Sequence, residues 1–324
     1  MVLLGEYGYL SDFSISPEEI VNRINIMFSR GIREFQFYDW FSSYTLPPYL
    51  AEDSWRNAYN PAYIIRKDTM MAAIIRIREL GGRSWAYIQS IAVDYEHDPC
   101  NGVSNCPYRL TQIRSNDNIG FNYILNKYSF KVYDPDSNWA SRMVKVWAPA
   151  VKQLGFSGIH WDTLGKISVN DHTEGFAQFL ETASAMLSSY NLLQTFNFVS
   201  MSWLTTGEYV KCNKVVYPYL SRFENSTEFL YAEVWNGTEY SNFIGLVRGK
   251  QRAVVAFYPT VKNDGSKTDD MTLQEVNMVN RASYSRANNL AYLAVGNGLR
   301  RLINEYFMID VDITPNVSPT FLLH

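Results

Sequence analysis

Short apolar runs alternate with longer stretches whose apolar positions recur at helical spacing, from one end of the chain to the other. A run of four to eight apolar residues between turn signals reads as a strand covered on both faces. An i, i+3, i+4 pattern reads as an amphipathic helix. Leu3–Tyr9 is the first such strand. A helix follows to about Ser29, with Ser16 as N-cap, Pro17 at the first helical position, Glu19 completing a capping box and Gly31 ending it. Ile32–Tyr38 is the second strand, Ile64–Leu80 a helix stopped by Gly81-Gly82, and Ser84–Ile88 the third strand. Asn138–Leu154 is a helix stopped by Gly155, followed by a fourth strand at Gly158–Asp162. Then come helix Glu174–Ser189, strand Leu192–Phe196, a shorter helix Leu204–Lys211 and strand Phe229–Glu233. Helix Glu239–Arg248, strand Arg252–Tyr258, helix Leu273–Asn288 and an eighth strand, Leu290–Val295, complete the pattern.

Eight alternations with near-continuously apolar strands predict a parallel sheet, and the length of 324 residues suits one α/β domain, a (β/α)8 TIM barrel spanning 1–324. A doubly wound sheet is the alternative, but the glycine-rich nucleotide fingerprint is missing. Two long excursions break the rhythm, Phe41–Tyr63 after the second strand and Ala92–Asp136 after the third. Both leave C-terminal strand ends, the face on which barrel enzymes build their sites.

Composition narrows the function. Lys and Arg number 29 against 32 Asp and Glu, so the basic footprint of a nucleic-acid binder is lacking. No stretch approaches the roughly 20 apolar residues that a membrane helix needs. Aromatics number 49, more than a core requires, while charged residues reach only 19%. Cys100 and Cys106 bracket Asn101 to Asn105 and either close a small loop in an oxidising compartment or remain free thiols. Neither CxxC pairs nor an HExxH helix is present, and Gly296-Asn297-Gly298 is too short for a phosphate loop, so no metal or cofactor is expected. The first residues lack the charged and apolar regions of a secretory leader, and the compartment is left open.

The chemistry gathers where predicted strands end. The second ends Tyr38-Asp39-Trp40, the fourth His160-Trp161-Asp162, and the sixth Glu233-Val234-Trp235. A carboxylate at the inner end of a buried strand must be hydrogen-bonded, paired or catalytic, because burying an isolated charge is too unfavourable. Asp162 and Glu233 would face each other across one mouth, as glycoside hydrolysis requires: one proton donor, one nucleophile or base. The flanking aromatics favour a sugar face. Tyr38, Trp40, Tyr87, Trp235 and Tyr258 are candidate stacking residues, against the default of core packing. Asp39 either binds a sugar hydroxyl or caps the following loop. His160 shares a face with Asp162 and either supports it or satisfies a buried network. Asn197 is placed to contact the nucleophile or a sugar hydroxyl.

The stretch Gly155-Phe156-Ser157-Gly158-Ile159-His160-Trp161-Asp162-Thr163-Leu164-Gly165 resembles the nucleophile motif of glycoside hydrolase family 66, the endo-dextranases and cycloisomaltooligosaccharide glucanotransferases. Phe35-Gln36-Phe37-Tyr38-Asp39-Trp40, Tyr133-Asp134-Pro135, Phe196-Asn197, Phe229 to Trp235 and Asn304-Glu305-Tyr306-Phe307 are similar to further blocks of that family, in family order. The resemblance implies a (β/α)8 barrel that cleaves α-1,6-glucosidic bonds of a polysaccharide or oligosaccharide with retention. Asp162 would be the nucleophile and Glu233 the acid/base, their carboxyl groups about 5–5.5 Å apart. It also implies flanking β-sandwich domains, which the chain has no room for. The chain stops about where a last barrel helix should begin, so the eighth helix is expected to be short, missing or replaced by a protein partner. Two other classes stay open at this level: a carbohydrate-binding or structural protein on a degenerate barrel, and an assembly component whose barrel edge another chain covers.

Overall fold

The computed structural model describes residues 6–29, 31–38, 40–58, 62–108, 130–162, 173–198, 213–234, 238, 241–243, 253–257 and 291–294. Eight strands form one sheet: β1 (Glu6–Leu10), β2 (Ile32–Phe37), β5 (Arg83–Gln89), β8 (Gly158–Asp162), β9 (Leu193–Asn197), β10 (Leu230–Val234), β11 (Ala253–Phe257) and β12 (Ala291–Ala294). Every neighbouring pair is parallel, and β12 returns to the side of β1, so the sheet curls into a nearly closed barrel. The expected (β/α)8 architecture is therefore present. Helices α1 (Pro17–Ser29), α2 (Lys67–Glu79), α3 (Ser137–Leu154), α4 (Thr173–Ser188) and α5 (Asn213–Ser226) lie between strands.

Local signals explain most of these boundaries. Ser16 Oγ accepts the Glu19 amide at 3.2 Å and opens α1, although the Glu19 carboxylate pairs with Arg23. Asp136 caps α3 through the Trp139 amide at 2.7 Å, and Gly155, at φ 89°, turns the chain out of that helix. Two boundaries differ from expectation. Ile64–Arg66 is a strand, β4, rather than the first turn of α2. It pairs antiparallel with β3 (Ser54–Arg56), which sets buried Trp55 opposite buried Ile65, so tertiary pairing of a β-branched run overrides the helical pattern. Helix α5 has no counterpart among the expected elements, and it carries Pro218, a residue unfavourable in a helix interior. The predicted helices 204–211 and 273–288 and the chain end lie outside the described residues. Of the predicted helix 239–248, only 241–243 is described, and it is helical.

The second excursion carries another antiparallel pair, β6 (Ala92–Asp94) with β7 (Phe130–Val132), and a disulfide joins Cys100 to Cys106. Two apolar layers result. Outside the sheet, Ile24 and Met27 of α1, Ile74 and Ile77 of α2, Trp147 and Val151 of α3, and Phe176 and Leu180 of α4 are buried in one continuous cluster. Inside it, Tyr7, Trp85, Phe229, Tyr231, Val254 and Ala256 form a second. Gly158 begins β8 where a Cβ would lie 2.7 Å from the Trp85 ring and closer still to the Leu193 carbonyl, so only glycine fits. At the N-terminal end of the strands, Arg83 grips Glu34 (2.6 Å) and Glu228 (2.8 Å), and Trp85 Nε1 donates to Glu34 at 2.8 Å.

Candidate active site

Strand register decides which side chains meet. Tyr87 lies beside His160 and Gln89 beside Asp162 across β5–β8, while His160 lies beside Thr195 across β8–β9. Residues two apart share a face, so Tyr87, His160 and Thr195 form one interior layer and Gln89, Asp162 and Asn197 the layer above it. Asp162 is buried and held from several sides. Tyr87 Oη donates to Oδ2 at 2.6 Å, Gln89 Nε2 reaches the same oxygen at 3.4 Å, and Asn197 Nδ2 donates to Oδ1 at 2.7 Å. Its main-chain carbonyl accepts both the amide and the hydroxyl of Ser90, each at 2.7 Å.

Glu233 enters from β10 and is partly buried. Asn197 Nδ2 donates to its Oε2 at 3.0 Å, and the Glu233 amide returns a bond to Asn197 Oδ1 at 3.1 Å. One amide nitrogen thus touches both carboxylates. Laid end to end, its bonds of 2.7 and 3.0 Å keep those two oxygens within 5.7 Å of each other. That bound applies to the one pair of oxygens sharing the amide, and it places the two carboxylates side by side in one layer.

Beneath the carboxylates His160 is fully enclosed, and burial pulls its pKa down to about 3, so the ring is neutral. Nδ1 sits 2.7 Å from Thr195 Oγ1, and the ring packs at 4.7 Å against Tyr231 and at 6.2 Å, nearly parallel, against Tyr87. Burial likewise raises the Tyr7 hydroxyl, on the same level, well above the usual phenol value. The layer directly beneath the carboxylates is therefore uncharged, and the buried Arg83–Glu34 pair lies further down, at the N-terminal end of the strands.

The model of glycosyl hydrolase family 66 matches residues 5–313. The chain belongs to that family. The family 66 chain is also similar in structure to a cycloisomaltooligosaccharide glucanotransferase from Paenibacillus sp., with TM-score 0.59 and 18% identity over 79% of this chain and 39% of that one. It thus spans well under half the length of that relative. Aspergillus fumigatus Ega3 aligns at TM-score 0.47 and 12% identity over 90% of both chains. The GH20 β-N-acetylhexosaminidase of Streptomyces coelicolor A3(2) aligns at TM-score 0.45 and 11% identity, covering 81% of this chain and 50% of that one. No curated protein matches.

Within the family 66 chain, Asp162, Glu233, Asn197, His160 and Tyr87 lie together at the strand ends, and two of the candidate stacking aromatics, Trp40 and Tyr87, are buried. Trp40 is fully buried among Phe41, Trp147 and Phe156, and its Nε1 donates to the Tyr87 carbonyl at 3.0 Å, so it offers no face to a sugar. Tyr87 is also buried, its ring 4.2 Å from Tyr38 and its hydroxyl committed to Asp162, so it orients the carboxylate rather than stacking on substrate. His160 belongs to the buried network with Thr195 and is not a substrate contact. Tyr38 is half-buried at the rim of this group. Asp39, Trp235 and Tyr258 lie outside the described residues. Gln89, Ser90 and Thr195 were missed. For Gln89 the signal was available: polar 87 and 89 alternate with apolar 86 and 88 on one strand. Among the described residues no cluster of His, Cys, Asp or Glu could hold a metal ion, and no helix is long and apolar enough to cross a membrane.

Proposed function

We propose that this chain is a retaining glycoside hydrolase or transglycosylase acting on an α-1,6-linked, dextran-type glucan. Its barrel, 1–324, would be a single catalytic domain, with Asp162 as nucleophile and Glu233 as acid/base. The observation that supports this reading is the shared Asn197 amide, which brings one oxygen of each carboxylate within 5.7 Å of the other, a proximity compatible with the ~5–5.5 Å carboxyl separation of double displacement. An Asp162 oxygen attacks the anomeric carbon, the glycosidic bond breaks, and the Glu233 proton goes to the leaving oxygen. A glycosyl ester results. Glu233 then takes a proton from the acceptor hydroxyl, the acceptor oxygen bonds to the anomeric carbon, and the ester bond breaks to restore the Asp162 carboxylate. Water as acceptor gives hydrolysis, a sugar hydroxyl gives transfer, and the same two groups serve both.

Incubation with dextran and with α-1,4-glucans, comparing wild type with Asp162→Asn and Glu233→Gln, tests the reading. Release of reducing ends or new oligosaccharides from dextran alone, lost by ~10³-fold or more in both variants, is expected. A wild type that binds α-glucan but converts none would identify the chain as a binding protein on this barrel.

A further inference from the structure

The geometry points to Gln89 as a positioning residue that, acting through Tyr87, selects which oxygen of Asp162 attacks; this rests on the reading of Asp162 as nucleophile. Gln89 is enclosed at the end of β5, with Nε2 donating to the Tyr87 hydroxyl and lying 3.4 Å from Asp162 Oδ2. A tyrosine hydroxyl has a single proton. With its oxygen accepting from Gln89, that proton is directed to Asp162 Oδ2, where the bond is 2.6 Å. The reverse orientation of the amide would set Oε1 against a carboxylate oxygen, two acceptors face to face, and would ask the Tyr87 proton to serve Gln89 instead. The observed orientation leaves Gln89 Oε1 buried without a partner among the described residues. That unsatisfied acceptor is tolerated because the other end of the amide fixes the polarity of the Gln89–Tyr87–Asp162 chain.

Backbone contacts hold the chain in place. Trp40 Nε1 donates to the Tyr87 carbonyl, and Ser90, next to Gln89, binds the Asp162 carbonyl twice. The two carboxylate oxygens are thereby made unequal. Oδ2 receives the β5 donors. Oδ1 accepts Asn197 Nδ2 at 2.7 Å, the amide that also holds Glu233, and so faces the acid/base. Oδ1 is accordingly the attacking atom, facing the acid/base across the bond to be cleaved. Oδ2 becomes the carbonyl oxygen of the glycosyl ester, still bonded to Tyr87.

The test compares wild type, Gln89→Met, Tyr87→Phe and the double variant, each with its melting temperature recorded. Asp162 is followed by the carboxyl ¹³C shift on titration, assigned by its loss in Asp162→Asn, and by the pH dependence of kcat and kcat/KM on dextran. Donors to a carboxylate favour its charged form. Gln89→Met should therefore raise the Asp162 titration midpoint and the acid limb of kcat/KM by about one pH unit. It should also lower kcat by roughly tenfold or more while KM stays within about twofold. Because Gln89 acts through Tyr87, the double variant should be little worse than Tyr87→Phe. If Gln89→Met does not fold, Gln89→Asn withdraws the amide by one methylene and carries the same expectations. An unmoved ¹³C titration, or effects that multiply in the double variant, overturns the role of Gln89. Full activity in Asp162→Asn overturns instead the assignment of the nucleophile, and the ¹³C titration reads the Gln89 chain independently of turnover.

Discussion

His160 makes the acid sensitivity of this barrel open to calculation. The ring is enclosed, bonded to Thr195, and held neutral by burial down to about pH 3. In the unfolded chain it titrates near 6.5, as an exposed imidazole does. Between those values the unfolded state takes up a proton that the folded state refuses. The stabilisation is thus complete above pH 6.5 and is lost as the pH falls toward 3. Linkage sets the slope at about 1.36 kcal/mol per pH unit, so about 2 kcal/mol is lost by pH 5 and about 3 kcal/mol by pH 4. The figure at pH 5 needs only a folded pKa well below 5. Carboxylates such as Asp12, whose pKa is lowered by its hydrogen bonds to Tyr63 and Ser14 against opposing desolvation, add a loss of the same sign at lower pH. The comparison is therefore with His160→Asn, whose amide can keep the bond to Thr195. At pH 7 that variant should be less stable by about 1–3 kcal/mol, from lost packing. Urea midpoints measured from pH 7 to pH 5 should show the gap closing by about 2 kcal/mol, because the variant has no imidazole to protonate on unfolding. A gap of constant size over that range would show that His160 takes up its proton in the folded protein as readily as in the unfolded chain, and the argument for an uncharged layer beneath the carboxylates would fail.

Asn197→Ala removes the amide shared by Asp162 and Glu233 and should lower kcat by roughly 10–100-fold, read as product release from dextran with circular dichroism unchanged. Gly158→Ala forces a methyl against Trp85 and the Leu193 backbone and should destabilise by about 1–3 kcal/mol or more, read as a lower denaturation midpoint. Arg83→Met leaves Glu34, only 7% exposed, without its cation and should cost about 3 kcal/mol. Arg222→Met, which breaks pairs with Glu174 and Glu181 whose own side chains are about half exposed, should cost less than about 1 kcal/mol. Equal losses in the two arginine variants would refute the distinction drawn between the buried ion pair at the N-terminal end of the barrel and the exposed pairs on its surface.

The barrel was legible because its strands are short runs rich in aliphatic and aromatic residues between turn residues, even where β2 carries Arg33, Glu34 and Gln36, and Gly31, Gly81 and Gly155 stop helices by taking positive φ. Asp162 and Glu233 were legible because a charge at the end of such a run has no solvent to face. What escaped the sequence was the setting of neighbouring chains against one another. Nothing local in Ile64–Arg66 says that β3 will pair with it, and nothing local in Trp40 says that its indole will turn outward to a carbonyl of β5. Asn197 could be placed near Asp162 from its position on the strand, but its bridging of two carboxylates depends on the β9–β10 register. Thr195 and Ser90 are small polar residues of a kind found throughout the chain. Only the partners across the sheet give them a role.

The aromatic surplus is explained in part by the same strand ends. A barrel that opens its C-terminal face to a substrate leaves backbone carbonyls there beyond the parallel ladder, and buried carbonyls need donors. Tryptophan supplies one at the edge of a large apolar body with few rotors. Trp40 Nε1 donates to Tyr87 O at 3.0 Å, Trp55 Nε1 to Trp40 O at 2.7 Å, and Trp139 Nε1 to Ser90 O at 2.7 Å. The first two fasten the β3–β4 hairpin of one excursion to β5, and the third fastens α3 to the same strand end. Trp147, whose buried Nε1 has no partner, contributes the body alone, packed against Trp40 and Phe41. Strand β5 in turn carries Tyr87 and Gln89 and leads directly into Ser90, the residues that hold Asp162 on the side away from Asn197. Aromatics placed by sequence at a sugar-stacking rim thus act, where they are buried, one step behind it. They fix the backbone whose polar side chains aim the carboxylate.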